Sequence, residues 1–181
     1  MRYVYVALLP IVLCAHAVVS PSSSRTGAYE RYVLRVPNES AAPTIRVSIR
    51  FPAEVRVISF VDVPGWQLQA TMDSTGRATS ATWMGSLPPE RFVEFPFMAV
   101  NPKAPTKISW PVTQVYADGQ VVQWVGPRDS EKPASVTVVG GGTPWQQWVA
   151  TVLAGLALCV AVFALALSFR GRVGTATARV A

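Results

Sequence analysis

The sequence predicts an all-β exported domain, an antiparallel β-sandwich, followed by one membrane-spanning helix. Between residues 29 and 139, short apolar segments alternate inward-facing and outward-facing residues and end at Pro, Gly, Asn or Asp. No long stretch with a period of 3.6 residues precedes residue 149. Seven to nine short strands with turns at this spacing are typical of a sandwich.

The first two strands show the alternation most clearly. Residues 29–36 place Tyr32, Leu34 and Val36 on one face and arginines on the other. Residues 45–51 repeat the pattern, with Ile45 as the first residue of the apolar face. Asp-Gly at 118–119 indicates a tight hairpin turn. Further strands are predicted at 55–61, 66–70, 78–84, 91–100, 108–116, 120–126 and 134–139.

The N-terminus has the three parts of a secretory signal. Arg2 gives a basic start, an apolar run extends from Tyr3 to Leu13, and small residues follow. Residues 1–15 are therefore predicted to be a signal peptide, and residues 16–139 are the exported domain.

A second apolar segment lies near the C-terminus. Residues 149–169 contain no charged side chain over 21 positions, and about 20 are needed to cross a bilayer as a helix. Arginines are concentrated in residues 170–181, which marks that tail as cytoplasmic. Trp145 and Trp148 suit the outer headgroup region, within a flexible linker at 140–148. The sequence predicts a single-pass protein of the cell membrane with its N-terminal domain outside.

Charge and cysteine content exclude several functions for the exported part. Residues 16–143 contain 12 Lys/Arg and 10 Asp/Glu, which gives a net charge of +2. A charge this small does not indicate a nucleic-acid-binding surface. Both cysteines, Cys14 and Cys159, lie outside this stretch. The domain therefore has no disulfide, thiolate metal site or cysteine nucleophile.

His16 is the only histidine, which makes a histidine-based hydrolase improbable. If the signal is cut after Ala15, the α-amine and Nδ1 of His16 can chelate one metal ion. Nitrogen and oxygen donors in this arrangement suit Cu(II). An Ala-x-Ala rule instead favours cleavage after Ala17, which would discard the histidine. The residues alone leave both possibilities open.

Blocks of sequence along the domain resemble the YcnI-like copper-binding domain family of bacterial envelope proteins. They include His16 to Pro21, Gly27 to Tyr32, Val36 to Glu39, Pro43-Thr44, Pro64 to Trp66, Thr82-Trp83, Phe92 to Phe97 and Gln114 to Trp124. Their order and spacing cover nearly the whole exported domain.

The resemblance implies an immunoglobulin-like or cupredoxin-like sandwich with Cu(II) as its cofactor. It implies that His16 is the bidentate ligand, that a glutamate assists, and that Trp124 is a nearby aromatic residue. Glu39 is favoured because a strand at 17–20 paired antiparallel with 29–36 would bring residue 39 near His16. Glu30 is the reserve, since it shares the apolar face of its strand and needs a partner there.

The resulting functional prediction is an extracytoplasmic, membrane-anchored copper-binding protein, not an enzyme. It would hold one copper ion for homeostasis or for delivery to a copper transporter or chaperone. The alternative is a metal-free envelope domain that binds a protein partner.

Overall fold

The computed structural model describes residues 16–140, 149 and 151–160. The chain divides into two compact units, Met1–Gly141 and Gly142–Ala181. The predicted signal peptide at 1–15, the predicted cytoplasmic tail at 170–181 and nearly all of the predicted linker at 140–148 lie outside the described residues.

The described part of the first unit contains twelve β-strands and no helix. They are β1 (Val18–Ser20), β2 (Ser23–Ser24), β3 (Tyr29–Asn38), β4 (Thr44–Arg50), β5 (Arg56–Phe60), β6 (Gln67–Met72), β7 (Ala78–Leu87), β8 (Arg91–Val100), β9 (Thr106–Trp110), β10 (Val112–Tyr116), β11 (Val121–Trp124) and β12 (Ser135–Val139).

These strands form an antiparallel β-sandwich, as the sequence predicts. One layer has the order β1-β3-β8-β5 and the other has the order β11-β10-β4-β7-β6. A third sheet, β2-β12-β9, contains the one parallel pair, β2 with β12, among the described strands. Aromatic side chains fill the space between the layers, where Trp83 stacks on Phe95 with ring centroids 4.5 Å apart. The core is thus built from the alternate residues of both layers.

The apolar face predicted for the first strand is confirmed, because Tyr32, Leu34 and Val36 are fully buried. The second strand departs from strict alternation. A register shift between Thr44 and Arg46 leaves Ile45 on the surface and buries Thr44. A β-bulge of this kind inserts one residue into a strand, so the side chains that precede it point to the opposite face of the sheet.

The segment 108–116, predicted as one strand, is two strands in two sheets. Pro111 separates β9, which pairs with β12, from β10, which pairs with β4 and β11. Proline has no N–H to donate to a ladder, so pairing is interrupted where the chain crosses from one sheet to the other. The two-residue strand β2 was not predicted, since a segment so short has no measurable periodicity.

The sandwich has two ends that differ in which loops they contain. The chain from Val19 to Ser24 runs alongside β12, with the Val138 amide donating to the Ser22 carbonyl and the Gly140 amide to the Ser24 carbonyl. Gly140, where the chain leaves the sandwich, therefore lies at the end with loops 25–28, 51–55, 73–77 and 101–105, which we call the exit end. The opposite end has loops 39–43, 88–90 and 117–120, and we call it the histidine end because His16 precedes β1 there.

In the second unit, residues 149 and 151–160 are helical and exposed. Within the described residues, no helix combines the length and the apolar character that a membrane crossing requires. Most of the second half of the predicted span at 149–169 lies outside these residues.

Candidate metal site

His16 lies two residues before β1, a strand that is hydrogen-bonded to its neighbours in the sandwich. Ala17 and Val19, on either side of Val18, are each 1% exposed. The Val19 amide donates to Ser135 Oγ at 2.9 Å, which ties β1 to β12. Because β1 pairs antiparallel with β3 and Val18 lies opposite Arg35, continuing the register places His16 opposite Pro37.

The imidazole of His16 packs on the indole of Trp124. The two ring centroids are 5.2 Å apart, with a tilt of 59° between the ring planes. Trp124 is the last residue of β11 and is 4% exposed. The indole therefore supports one side of the half-buried histidine and excludes water there.

A buried glutamine holds this region together. Gln114 on β10 is 0% exposed, and its amide donates to the Pro37 carbonyl at 2.9 Å and to Thr44 Oγ1 at 2.8 Å. Its carbonyl Oε1 accepts a longer hydrogen bond, 3.5 Å, from the indole Nε1 of Trp124. One side chain thus positions both the tryptophan under His16 and the strand residue opposite it.

Glu39 lies in the turn directly after β3, two residues beyond Pro37. The turn is rigid because Asn38, 1% exposed, donates from Nδ2 to the carbonyls of Ala42 and Leu87, both at 3.0 Å. The Ser40 amide donates back to Asn38 Oδ1 at 2.9 Å. The structure therefore places Glu39 at the histidine end, in the turn that follows the strand neighbouring His16.

The structure does not bring Glu30 to the same place. Glu30 lies seven residues before Pro37 on β3, roughly 23 Å along an extended strand. Its carboxylate accepts a hydrogen bond from the Ser24 hydroxyl at the exit end. The partner that a half-buried carboxylate needs is therefore already supplied for Glu30 within the fold.

The donors near His16 are few but chemically suitable for copper. The imidazole, the nitrogen of residue 16 if it becomes a free amine, and the carboxylate of Glu39 would give two nitrogens and one oxygen, which fits Cu(II). Among residues 16–140, 149 and 151–160, no group of three or more His, Cys, Asp or Glu could hold a metal ion.

Gln114 is the residue that the sequence analysis missed. A signal for it exists, since alternation in β10 places Gln114 between the buried residues Val112 and Tyr116 on the core face. A glutamine on a core face needs hydrogen-bond partners there. The pattern cannot say that one of these partners is Trp124.

Known proteins resemble this chain in sequence and in fold. A family model described as a domain of unknown function, DUF1775, matches residues 16–139. The copper-binding protein CutI of Bacillus subtilis (strain 168) is 33% identical over 126 residues, which are 68% of this chain and 61% of that protein. The aligned region thus spans less than two thirds of that relative's own length.

A solved structure gives the fold. An uncharacterized protein from Nocardia farcinica, described as having an immunoglobulin-like fold, superposes with a TM-score of 0.62 and 27% sequence identity. The superposition covers 70% of this chain and 99% of that one. This chain therefore has an immunoglobulin-like sandwich and belongs to the DUF1775 family, the YcnI-like family that its sequence blocks resemble.

Proposed function

We propose that this protein binds one copper ion outside the cytoplasm, with His16 as the principal ligand. One observation carries the proposal: the only histidine of the chain stands against the buried Trp124, at the first residue that the family model matches. That a relative with 33% identity is named a copper-binding protein supports copper as the metal.

The proposed site uses two nitrogens of one residue. After cleavage following Ala15, the α-amine and the imidazole Nδ1 of His16 would close a chelate ring on Cu(II), and the Glu39 carboxylate would offset part of the ion's charge. The contact with Trp124 would hold the imidazole in one orientation, which lowers the conformational entropy lost on binding. Gln114 would act indirectly, by fixing the indole.

We infer binding and exchange rather than catalysis. A site next to the end of a strand, with ligands on one side only, leaves the copper ion accessible to a donor atom from a partner protein. A copper transporter or chaperone is therefore the expected recipient or source of the ion. The signal at 1–15 and the apolar segment at 149–169 support an anchored location with the sandwich outside the cytoplasm and residues 170–181 inside.

The first experiment is the intact mass of the exported protein, followed by titration with Cu(II). We expect a chain that begins at His16 and binds one equivalent, with electron paramagnetic resonance showing nitrogen donors. The His16→Ala variant should lose this binding. Because Cu(II) quenches nearby fluorescence, most of the quenching should disappear in a Trp124→Phe variant that still binds the ion.

Two isosteric variants separate the carboxylates. Glu39→Gln should weaken Cu(II) binding about tenfold or more, as loss of a charged ligand or of its support typically does. Glu30→Gln is the matched control and should leave the affinity unchanged. A mature chain that begins at Val18, or equal Cu(II) binding by the His16→Ala variant, would refute the proposal and favour a metal-free domain that binds a protein partner.

A further inference from the structure

The exit end of the sandwich is basic. Strand register and loop positions place four cationic side chains there, and all four are exposed. They are Arg25, Arg56, Lys103 and Lys107. Within the described part of the chain, none of the four forms an ion pair or a side-chain hydrogen bond. Their charge is therefore directed to solvent or to a partner.

Few carboxylates at the exit end offset this charge. Asp73 lies in the same hairpin loop as Arg77, and hydrogen bonds from the Thr75 hydroxyl and from the Arg77 backbone amide hold the pKa of Asp73 below its usual value. The half-buried carboxylate of Glu30 accepts a hydrogen bond from the Ser24 hydroxyl. Glu54 remains as the exposed carboxylate of loop 51–55. The cations of this end thus outnumber the carboxylates that could neutralise them.

The histidine end has the opposite sign. Its loops carry Glu39, Glu90 and Asp118, and the neighbouring strand β8 begins with Arg91. Residues 16–143 have a net charge of only +2, but their charges are separated along the strand direction. The end where the chain leaves at Gly140 is basic, and the end around His16 is acidic.

Apolar side chains accompany the cations at the exit end. Tyr29, the first residue of β3, is 69% exposed, and Val138 on β12 is 48% exposed and lies directly opposite Lys107. Val136, Val138 and Lys107 line a surface groove together with Ser22 and Arg128. Exposed tyrosine beside lysine and arginine is the composition of surfaces that sit at a membrane interface.

We propose that the exit end is a docking surface for an anionic lipid bilayer. Charge complementarity supports this occupant, because phosphate headgroups attract a group of unpaired cations within about 10 Å, the screening length at moderate salt. The point where the chain leaves the sandwich lies in the same surface. An end surface with exposed cations and exposed apolar side chains can lie flat on a bilayer.

Docking would fix the orientation of the proposed copper site. Pro37, opposite His16, lies eight residues along β3 from Tyr29 at the basic surface, which is roughly 26 Å of extended strand. The acidic histidine end would then point away from the lipid, toward partners that approach from outside. This consequence rests on the proposed function, but the docking surface itself does not.

The test uses residues 16–141, because the core cluster lies entirely between Ala17 and Val139 and the Nocardia farcinica chain consists almost wholly of this fold. The protein is mixed without metal with phosphatidylcholine vesicles that either contain or lack phosphatidylglycerol, and co-sedimentation is measured at low and high salt. We expect binding to the anionic vesicles only, weakened by salt.

A matched pair of variants distinguishes local from net charge. The double variant Arg25→Glu/Lys103→Glu should lose vesicle binding about tenfold or more, whereas Arg46→Glu/Arg91→Glu, with the same change in net charge, should retain it. Equal loss in both variants, no binding to anionic vesicles, or full displacement by inorganic phosphate at constant ionic strength would overturn the proposal. Repeating the assay with His16→Ala separates this result from the copper proposal, since docking should be unchanged.

Discussion

At the scale of single residues, a buried hydroxyl network secures the exit end of the sandwich. The Tyr32 hydroxyl donates to Asn101 Oδ1 at 2.6 Å, and Asn101 Nδ2 donates to Ser24 Oγ at 2.7 Å and to the Arg25 carbonyl at 2.9 Å. Asn101 thus joins the core to the chain that leads from β1 and β2. Burial, and secondly the negative charge of Glu30, raise the pKa of Tyr32 to about 12.

This raised pKa predicts a loss of stability at alkaline pH. The unfolded state releases the Tyr32 proton near the ordinary value of 10.0, while the folded state keeps it up to about 12. The contribution of Tyr32 to the free energy of unfolding is therefore complete below pH 10 and is lost between these two values. Urea denaturation at several pH values in this range should show the decline.

Tyr32→Phe tests the assignment. The variant should be less stable than the wild type by about 1 kcal/mol at pH 8, because it lacks the hydrogen bond to Asn101. This difference should shrink above pH 10, since phenylalanine has no proton to lose. Tyr29→Phe, at a side chain 69% exposed, is the control and should follow the wild-type profile. Parallel decline of all three proteins would contradict the role of Tyr32.

Part of the candidate site could be predicted from the sequence. His16 was identifiable because it is the only histidine and follows a secretory signal pattern, and Trp124 came from the family resemblance. The contact between their rings joins residues 108 positions apart, and no local pattern reveals such a pair. The preference for Glu39 over Glu30 remains a prediction, although the register that motivated it, β1 antiparallel to β3, is confirmed.

At the scale of strands, the packing of Trp66 requires a glycine, Gly85, on the neighbouring strand β7. Trp66 sits beside β7 and packs edge-on against Phe95, with ring centroids 5.0 Å apart. A methyl group at Gly85 would lie 2.5 Å from Trp66 Cδ2 and 2.6 Å from the Gly65 carbonyl oxygen. Both distances are well inside van der Waals contact, and one of the opposing atoms is backbone. The tryptophan therefore covers the strand only because residue 85 has no side chain.

We predict that Gly85→Ala lowers the free energy of unfolding by about 1–3 kcal/mol, the usual cost of overpacking. The ring must move away from Phe95, so near-ultraviolet circular dichroism should change as well. Ser86→Ala, on the neighbouring exposed residue of β7, is the control and should change stability little. A Gly85→Ala variant as stable as the wild type would show that Trp66 has room to adjust.

Most strands were predictable from alternation, and the exceptions have identifiable causes. Alternation reports which face a residue occupies, but it cannot report a change of sheet at Pro111 or a bulge at Ile45. Both features depend on which strand lies alongside, and that is a property of the folded chain. The same limit applies to β2, whose partner β12 lies more than 100 residues away.

At the scale of the whole molecule, the sandwich is stabilised by its core without covalent links. The buried cluster extends from Ala17 to Val139, and the sequence has no cysteine between Cys14 and Cys159. Its largest buried side chains, Trp83 and Trp110, join the layers through ring contacts with Phe95 and Phe97. The stability of the first unit therefore depends on burial of aromatic surface rather than on the redox state of the compartment.

This organisation predicts that residues 16–141 unfold in one cooperative transition and that a reducing agent does not shift it. A 126-residue unit with one core is within the size range of two-state domains. Coincident transitions by tryptophan fluorescence and far-ultraviolet circular dichroism, with and without dithiothreitol, would support a single cooperative unit. Transitions that do not coincide, or a midpoint that dithiothreitol shifts, would contradict a single cooperative core.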